Sequence, residues 1–168
     1  MIRGYCETIS LFLKEEIMDL EYLSKIDKLK TKVLKYIMYK KRTEREIREK
    51  FKDENEAILE DVIDNLKELN YISDTDYIKR SIHEFINLKN MSIKEITYKL
   101  LSKGINRNDI ENYLYENADE LDEYEIQSAI NIYNKKSSTM EYEDIINYLY
   151  KKGFRQESIK RIGESQSE

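Results

Sequence analysis

Ser92-Ile93-Lys94-Glu95-Ile96-Thr97-Tyr98-Lys99-Leu100-Leu101-Ser102-Lys103-Gly104-Ile105 returns 49 residues later as Glu141-Tyr142-Glu143-Asp144-Ile145-Ile146-Asn147-Tyr148-Leu149-Tyr150-Lys151-Lys152-Gly153-Phe154. Apolar character keeps its register: Ile96 falls on Ile145 and Leu100 on Leu149, with Ile110 and Ile159 six residues beyond the glycines. The same step backwards carries Ile96 onto Ile47, Leu100 onto Phe51, Ile82 onto Val33 and Ile86 onto Ile37. Repetition of this length predicts an all-α array of small units, each needing a neighbour to cover its apolar face. Such arrays work as extended surfaces, so the first expectation is a protein that holds another macromolecule.

Each unit reads as three helices with short turns, giving tandem three-helix repeats with a period of about 49 residues. The opening helices are placed at 28–41, 75–89 and 122–135, with inward faces such as Val33 and Ile37, Ile78 and Ile82, and Ile126 and Ile130. The second helices are placed at 43–53, 93–103 and 142–152. Thr43 with Glu46 and Ser92 with Glu95 have the spacing of capping boxes, whereas Glu141 with Asp144 weakens the third. Gly104 and Gly153 predict left-handed helix stops, with Lys103 and Lys152 at the negative end of each helix dipole. The third helices are placed at 55–69, 106–117 and 155–163, with Asn70 ending the first and Asp74 capping the helix that follows. The resulting division is a capping segment at 1–27, repeats at 28–72, 73–118 and 119–163, and a polar tail at 164–168.

The 168 residues contain no proline and four glycines, so few positions break a helix. Apolar runs are far short of a bilayer span, and the first 16 residues lack the combined features of a secretory signal. Cys6 is the single cysteine, which excludes an internal disulfide and suits a reducing, cytoplasmic setting. The net charge of −5 conceals segregation: +8 over 28–52, −8 over 53–76, +5 over 77–107 and −8 over 108–125. Two readings stand: charge balance between neighbouring helices, or a positive stripe facing a polyanion or an acidic protein.

No catalytic constellation assembles. His83, the only histidine, lies beside Ile82 and aligns with Leu34 and Ile132, as a packing position would. Cys6 has no activating context. No glycine-rich phosphate loop exists, and the acidic run from Asp119 to Glu125 lacks calcium-loop spacing and reads as a solvated helix start. The expectation is a non-enzyme without cofactor or metal. Fourteen tyrosines could stack on unpaired bases. However, Tyr36, Tyr77, Tyr98, Tyr113, Tyr133 and Tyr148 fall on or beside apolar stripes, where they fill space between helices.

The basic residues recur at comparable points of the units. Lys40, Lys41, Arg42, Arg45 and Arg48 surround the first inter-helix turn. Lys79, Arg80 and Lys89, joined by Lys99, Lys103 and Arg107, follow in the second unit, and Lys151, Lys152 and Arg155 in the third. Together they form a candidate track for a partner or DNA.

Four segments carry a family resemblance. Arg42–Phe51, Leu66-Lys67-Glu68-Leu69-Asn70-Tyr71-Ile72-Ser73-Asp74-Thr75-Asp76-Tyr77, Ile93–Ile105 and Tyr148–Phe154 resemble, in order, the characteristic elements of RecX regulatory proteins over residues 28–162. Asn70 stands where the family usually has glycine, and the first repeat lacks the Lys-Gly stop. The resemblance implies an elongated, curved array of three-helix repeats. It also implies a monomeric, non-catalytic regulator that binds the RecA filament on single-stranded DNA and modulates it, usually by inhibition. DNA repair, homologous recombination and the SOS response are the processes this would affect. Direct DNA contact stays open, and an independent nucleic-acid-binding module or a helical adaptor for another protein remains an alternative.

Overall fold

The computed structural model describes residues 2–164, with side chains from 18 to 163. Among the described residues all regular structure is helical: α1 (Ile2–Tyr39), α2 (Glu44–Lys50), α3 (Glu56–Glu68), α4 (Asp74–Leu88), α5 (Ile93–Ser102), α6 (Arg107–Glu116), α7 (Ala118–Lys136), α8 (Tyr142–Lys152) and α9 (Gln156–Glu164). They divide into two compact units, one ending at Ser73 and one beginning at Asp74. The expected polar tail, 164–168, and Cys6 lie outside the residues whose side chains are described.

In the first unit α1 packs along α3, and α2 closes the end. The core joins Val33 and Ile37 of α1 to Ile47 of α2 and to Val62, Ile63 and Leu66 of α3. Burying each such aliphatic side chain contributes ~1.5–3 kcal/mol. Where a separate capping segment was expected at 1–27, α1 runs without interruption from Ile2 to Tyr39. The physical reason is the absence of a breaker: no proline occurs, and no glycine stands between Gly4 and Gly104.

The second unit contains two cores. One gathers Ile78, Ile82, Ile96, Leu100 and Ile110 from α4–α6, and the other Ala129, Ile145, Leu149, Ile159 and Ile162 from α7–α9. Leu121 of α7 belongs to the first of these, so α7 contributes to both. Ile47, Ile96 and Ile145 are each fully buried. His83, expected to pack, is exposed; it follows buried Ile82 and is therefore turned about 100° around the helix, away from the core. Tyr98 is likewise exposed, whereas Tyr36, Tyr77, Tyr113, Tyr133 and Tyr148 are half-buried as filler.

The caps follow the sequence chemistry. Thr43 and Ser92 each close a complete capping box with Glu46 and Glu95, and Glu141 makes no side-chain cap. Gly104 and Gly153 have φ of 83° and 85°. In both turns paired backbone bonds close the helix end: Gly104 N–H to Leu101 and Ile105 N–H to Leu100, then Gly153 N–H to Tyr150 and Phe154 N–H to Leu149. Asn70 makes the third turn of this kind, at φ 57°, with Asn70 N–H on Lys67 and Tyr71 N–H on Leu66. Asn is the non-glycine residue that tolerates this conformation best. Asp74, expected as a cap, lies one residue inside α4, in its first turn. α7 begins at Ala118, four residues before the expected 122, because Asn117 ends α6 and starts α7 with no intervening turn.

Candidate partner-binding surface

The basic residues separate into those that hold the fold and those left to solvent. In the first unit Arg48 bonds Glu44 at 2.7 Å and grips Glu60 through two nitrogens, the second at 3.0 Å. Lys67 adds a 2.9 Å pair to Glu44, making a ladder of alternating charge between α2 and α3. Partial burial pushes the Glu44 carboxyl up, but Lys67 and Arg48 outweigh it and hold the group below its usual range. Arg48 likewise holds Glu60 down. Arg42 stacks on the Tyr36 ring at 4.6 Å. Lys40, Lys41 and Arg45, at the α1–α2 turn and on α2, are exposed.

In the second unit the central feature is Glu125, fully buried on α7. Its carboxylate accepts from Ile93 N–H at 2.8 Å, Arg155 Nε at 2.6 Å and Ser158 Oγ at 2.9 Å. Arg155 also reaches Asp122 at 2.7 Å. Partial burial disfavours the guanidinium charge, but bonds from Glu125 and Asp122 outweigh that and raise its pKa. Glu125 therefore departs from the solvated role expected for the acidic run. Asp119 and Glu120 do sit exposed in the first turn of α7.

Further bonds tie the start of α5 to the same helices. Ser92 Oγ donates to the Lys152 carbonyl at 2.7 Å, and Lys152 Nζ meets Glu95 at 2.7 Å, which raises the lysine pKa. Tyr124 donates its hydroxyl hydrogen to the Lys89 carbonyl at 2.8 Å and accepts from Met91 N–H at 3.0 Å. Lys152 and Arg155, read from sequence as partner contacts, thus also serve as internal clamps.

The remaining predicted cations of this unit lie outward. Lys79 and Arg80 are exposed on α4, and Lys89 and Lys99 flank the Phe85 ring at 5.6 and 5.7 Å. Lys103 is exposed at the end of α5, and Lys151 near the end of α8. Arg107 forms only a solvent-facing pair with Glu111, at 3.5 Å. A recess of about 620 Å³ brings Lys89 and Lys152 together with Lys135 and Lys136. The last two were missed from sequence. The 49-residue step places them on Ile86 and Asn87, so reading by recurrence passed over them.

Among the described residues no cluster of side chains is suited to a metal ion, and no helix is long and apolar enough to cross a membrane. What the described surface offers is charge, carried largely by lysines on short helical segments. The class these features define is an all-helical protein with a strongly charged surface.

Comparison with known proteins supplies the family. The chain is 35% identical over 137 residues to the regulatory protein RecX of Finegoldia magna, covering 77% of this chain and 67% of that protein. It is 31% identical over 144 residues to the RecX of Clostridioides difficile, covering 80% and 66%. It thus spans about two thirds of the length of these relatives. The crystal structure of RecX from Lactobacillus salivarius superposes with a TM-score of 0.73 at 25% identity, over 85% of this chain and 97% of that one. A second crystal structure, of a regulatory protein RecX, gives 0.76 at 23% identity, over 88% and 77%. No family model matches the chain. The chain belongs to the RecX family of regulatory proteins.

Proposed function

We propose that the chain binds the RecA recombinase filament on single-stranded DNA and lowers its recombinase, ATPase and coprotease activity, without catalysis of its own. The observation that carries this reading is the alignment over 137 residues with a RecX regulatory protein. The four segments of this chain that resemble the family hold Thr43 and Glu46 of one capping box, Glu95 of the other, and the turns at Asn70, Gly104 and Gly153. On this reading α1–α3, α4–α6 and α7–α9 are the three repeats, and the protein acts as a monomer in the cytoplasm. The exposed cations Lys40, Lys41, Arg45, Lys79, Arg80 and Lys99 are the residues that meet acidic protein surface or phosphate.

The test is RecA-dependent ATP hydrolysis and strand exchange on single-stranded DNA with increasing amounts of the chain. A dose-dependent fall in both is expected. Full activity at several-fold molar excess over RecA would overturn the reading.

A further inference from the structure

The recess of about 620 Å³ in the second unit is built by three helix ends and the turns beside them. Lys89 and Asn90 follow α4, Lys135 and Lys136 form the last turn of α7, and Lys152 closes α8, with Tyr148 one turn earlier on that helix. Lys152 is partly neutralised by Glu95. Lys89 lies over Phe85, and Lys136 lies over Tyr148 at 4.3 Å with a weak contact to the Met140 sulfur. Among the described residues no carboxylate is paired with Lys89, Lys135 or Lys136.

Attraction to the negative ends of α7 and α8 accounts for these lysines singly. It does not account for three helix ends bringing four lysines to the lining of one recess. The chain has 34 acidic against 29 basic residues, so carboxylates to neutralise such a cluster are plentiful, yet among the described residues none pairs with Lys89, Lys135 or Lys136. Like charges gathered this way repel, and an anion relieves the repulsion.

The kind of cation bears on how an anion would be held. Arginine presents a rigid planar fork that holds carboxylate or phosphate in a fixed geometry, and in this chain Arg48 grips Glu60 while Arg155 grips Glu125 and Asp122. The recess holds lysines alone among its cations. These are point donors on flexible stems, suited to phosphate oxygens that arrive from several directions. The Tyr148 ring already carries Lys136 at 4.3 Å and Lys152 at 6.0 Å, so a base would compete with these cations for it.

We propose that this recess binds the phosphodiester backbone of a single-stranded nucleic acid without reading its bases. The site presupposes that the chain works on single-stranded DNA, and a binding assay without recombinase tests it apart from that role. Because the whole chain carries −5, attraction has to come from a local cluster and is confined to low salt.

The experiment is fluorescence anisotropy of a labelled oligothymidylate with the purified chain over a range of salt concentrations. The comparison variants are the triple Lys89→Gln, Lys135→Gln, Lys136→Gln and a control triple of equal charge change, Lys25→Gln, Lys28→Gln, Lys160→Gln. Removing three phosphate contacts should weaken low-salt binding by about tenfold or more and flatten the log–log salt slope by about 2. The control should keep wild-type binding, and unchanged far-ultraviolet circular dichroism should show that all three proteins are folded. Absence of wild-type binding at low salt would overturn the proposal, as would equal binding by the recess triple or an equal loss in the control. Tighter binding of polyglutamate than of oligothymidylate would also overturn it, by assigning the recess to an acidic peptide. RecA inhibition that survives in a recess triple unable to bind DNA would separate the regulatory role from this site.

Discussion

Glu125 and Arg155, thirty residues apart in the chain, meet at 2.6 Å between α7 and the start of α9, with the carboxylate wholly removed from solvent. A buried carboxylate is tolerable only when its oxygens are engaged, and here the Ile93 and Arg155 amides, the Arg155 guanidinium and the Ser158 hydroxyl engage them. The Arg155→Ala variant leaves that carboxylate without its cation and should cost about 3–5 kcal/mol. Urea unfolding of the second unit is the measurement. Lys151→Ala, exposed on α8, should leave the midpoint unchanged.

The starts of α2 and α5 should both depend on their capping boxes. Ser92 Oγ accepts from Glu95 N–H at 3.1 Å and donates to the Lys152 carbonyl at 2.7 Å, so it serves two helices. Ser92→Ala and Thr43→Ala are each expected to cost about 1–2 kcal/mol. Glu141→Ser, which installs the missing cap on α8, should gain about 0.5–1 kcal/mol. Thermal midpoints of the three variants, each at the same pH, are the measurement: two should fall and Glu141→Ser should rise.

Asn70 bears the left-handed turn that ends α3, at φ 57°. Asn70→Gly should be neutral or slightly stabilising, whereas Asn70→Ala should cost about 1 kcal/mol by placing an ordinary side chain there. At Gly153 an added Cβ would also stand 2.8 Å from Lys94 Cδ, so Gly153→Ala should cost more than Asn70→Ala. Chemical denaturation of both variants tests the difference.

The charge ladder of the first unit should make its stability sensitive to acid. Glu44 and Glu60 are held below their usual range in the folded state and return to it on unfolding. The folded chain therefore binds fewer protons than the unfolded one. The stabilisation is complete above the usual carboxylate range and is lost as pH falls through the lowered values. Arg48→Gln removes the main cation and should flatten the dependence of the urea midpoint on pH below neutrality. An unchanged pH profile would show that the ladder contributes nothing to stability.

These side-chain networks mark the limit of what the sequence discloses. Local chemistry was legible. The Thr43 and Ser92 boxes, the Lys-Gly stops and the apolar positions Ile47, Ile96 and Ile145 depend on neighbours a few residues away, and all appear in the structure. Glu125 was not legible, because its partners Ile93 and Arg155 lie 32 and 30 residues off and become neighbours only after packing. The same holds for Arg48 with Glu60 and for Lys152 with Glu95. Reading by recurrence gathered Arg42, Arg48, Lys152 and Arg155 into one track with exposed lysines, although the structure gives each of these four an internal role. It passed over Lys135 and Lys136, whose significance is spatial. The unbroken α1 had a visible sign in the absence of glycine or proline after Gly4, but apolar periodicity alone did not weigh it.

Direct binding to the recombinase filament is the most decisive measurement. RecA filaments assembled on immobilised single-stranded DNA with a non-hydrolysable nucleotide should retain the purified chain at micromolar concentration, and bare DNA at physiological salt should retain far less. Reversing the charge of Lys40, Lys41, Lys79 and Arg80 together should reduce that retention while leaving the chain folded. Equal signals from the filament and from bare DNA, or no signal from either, would contradict the account.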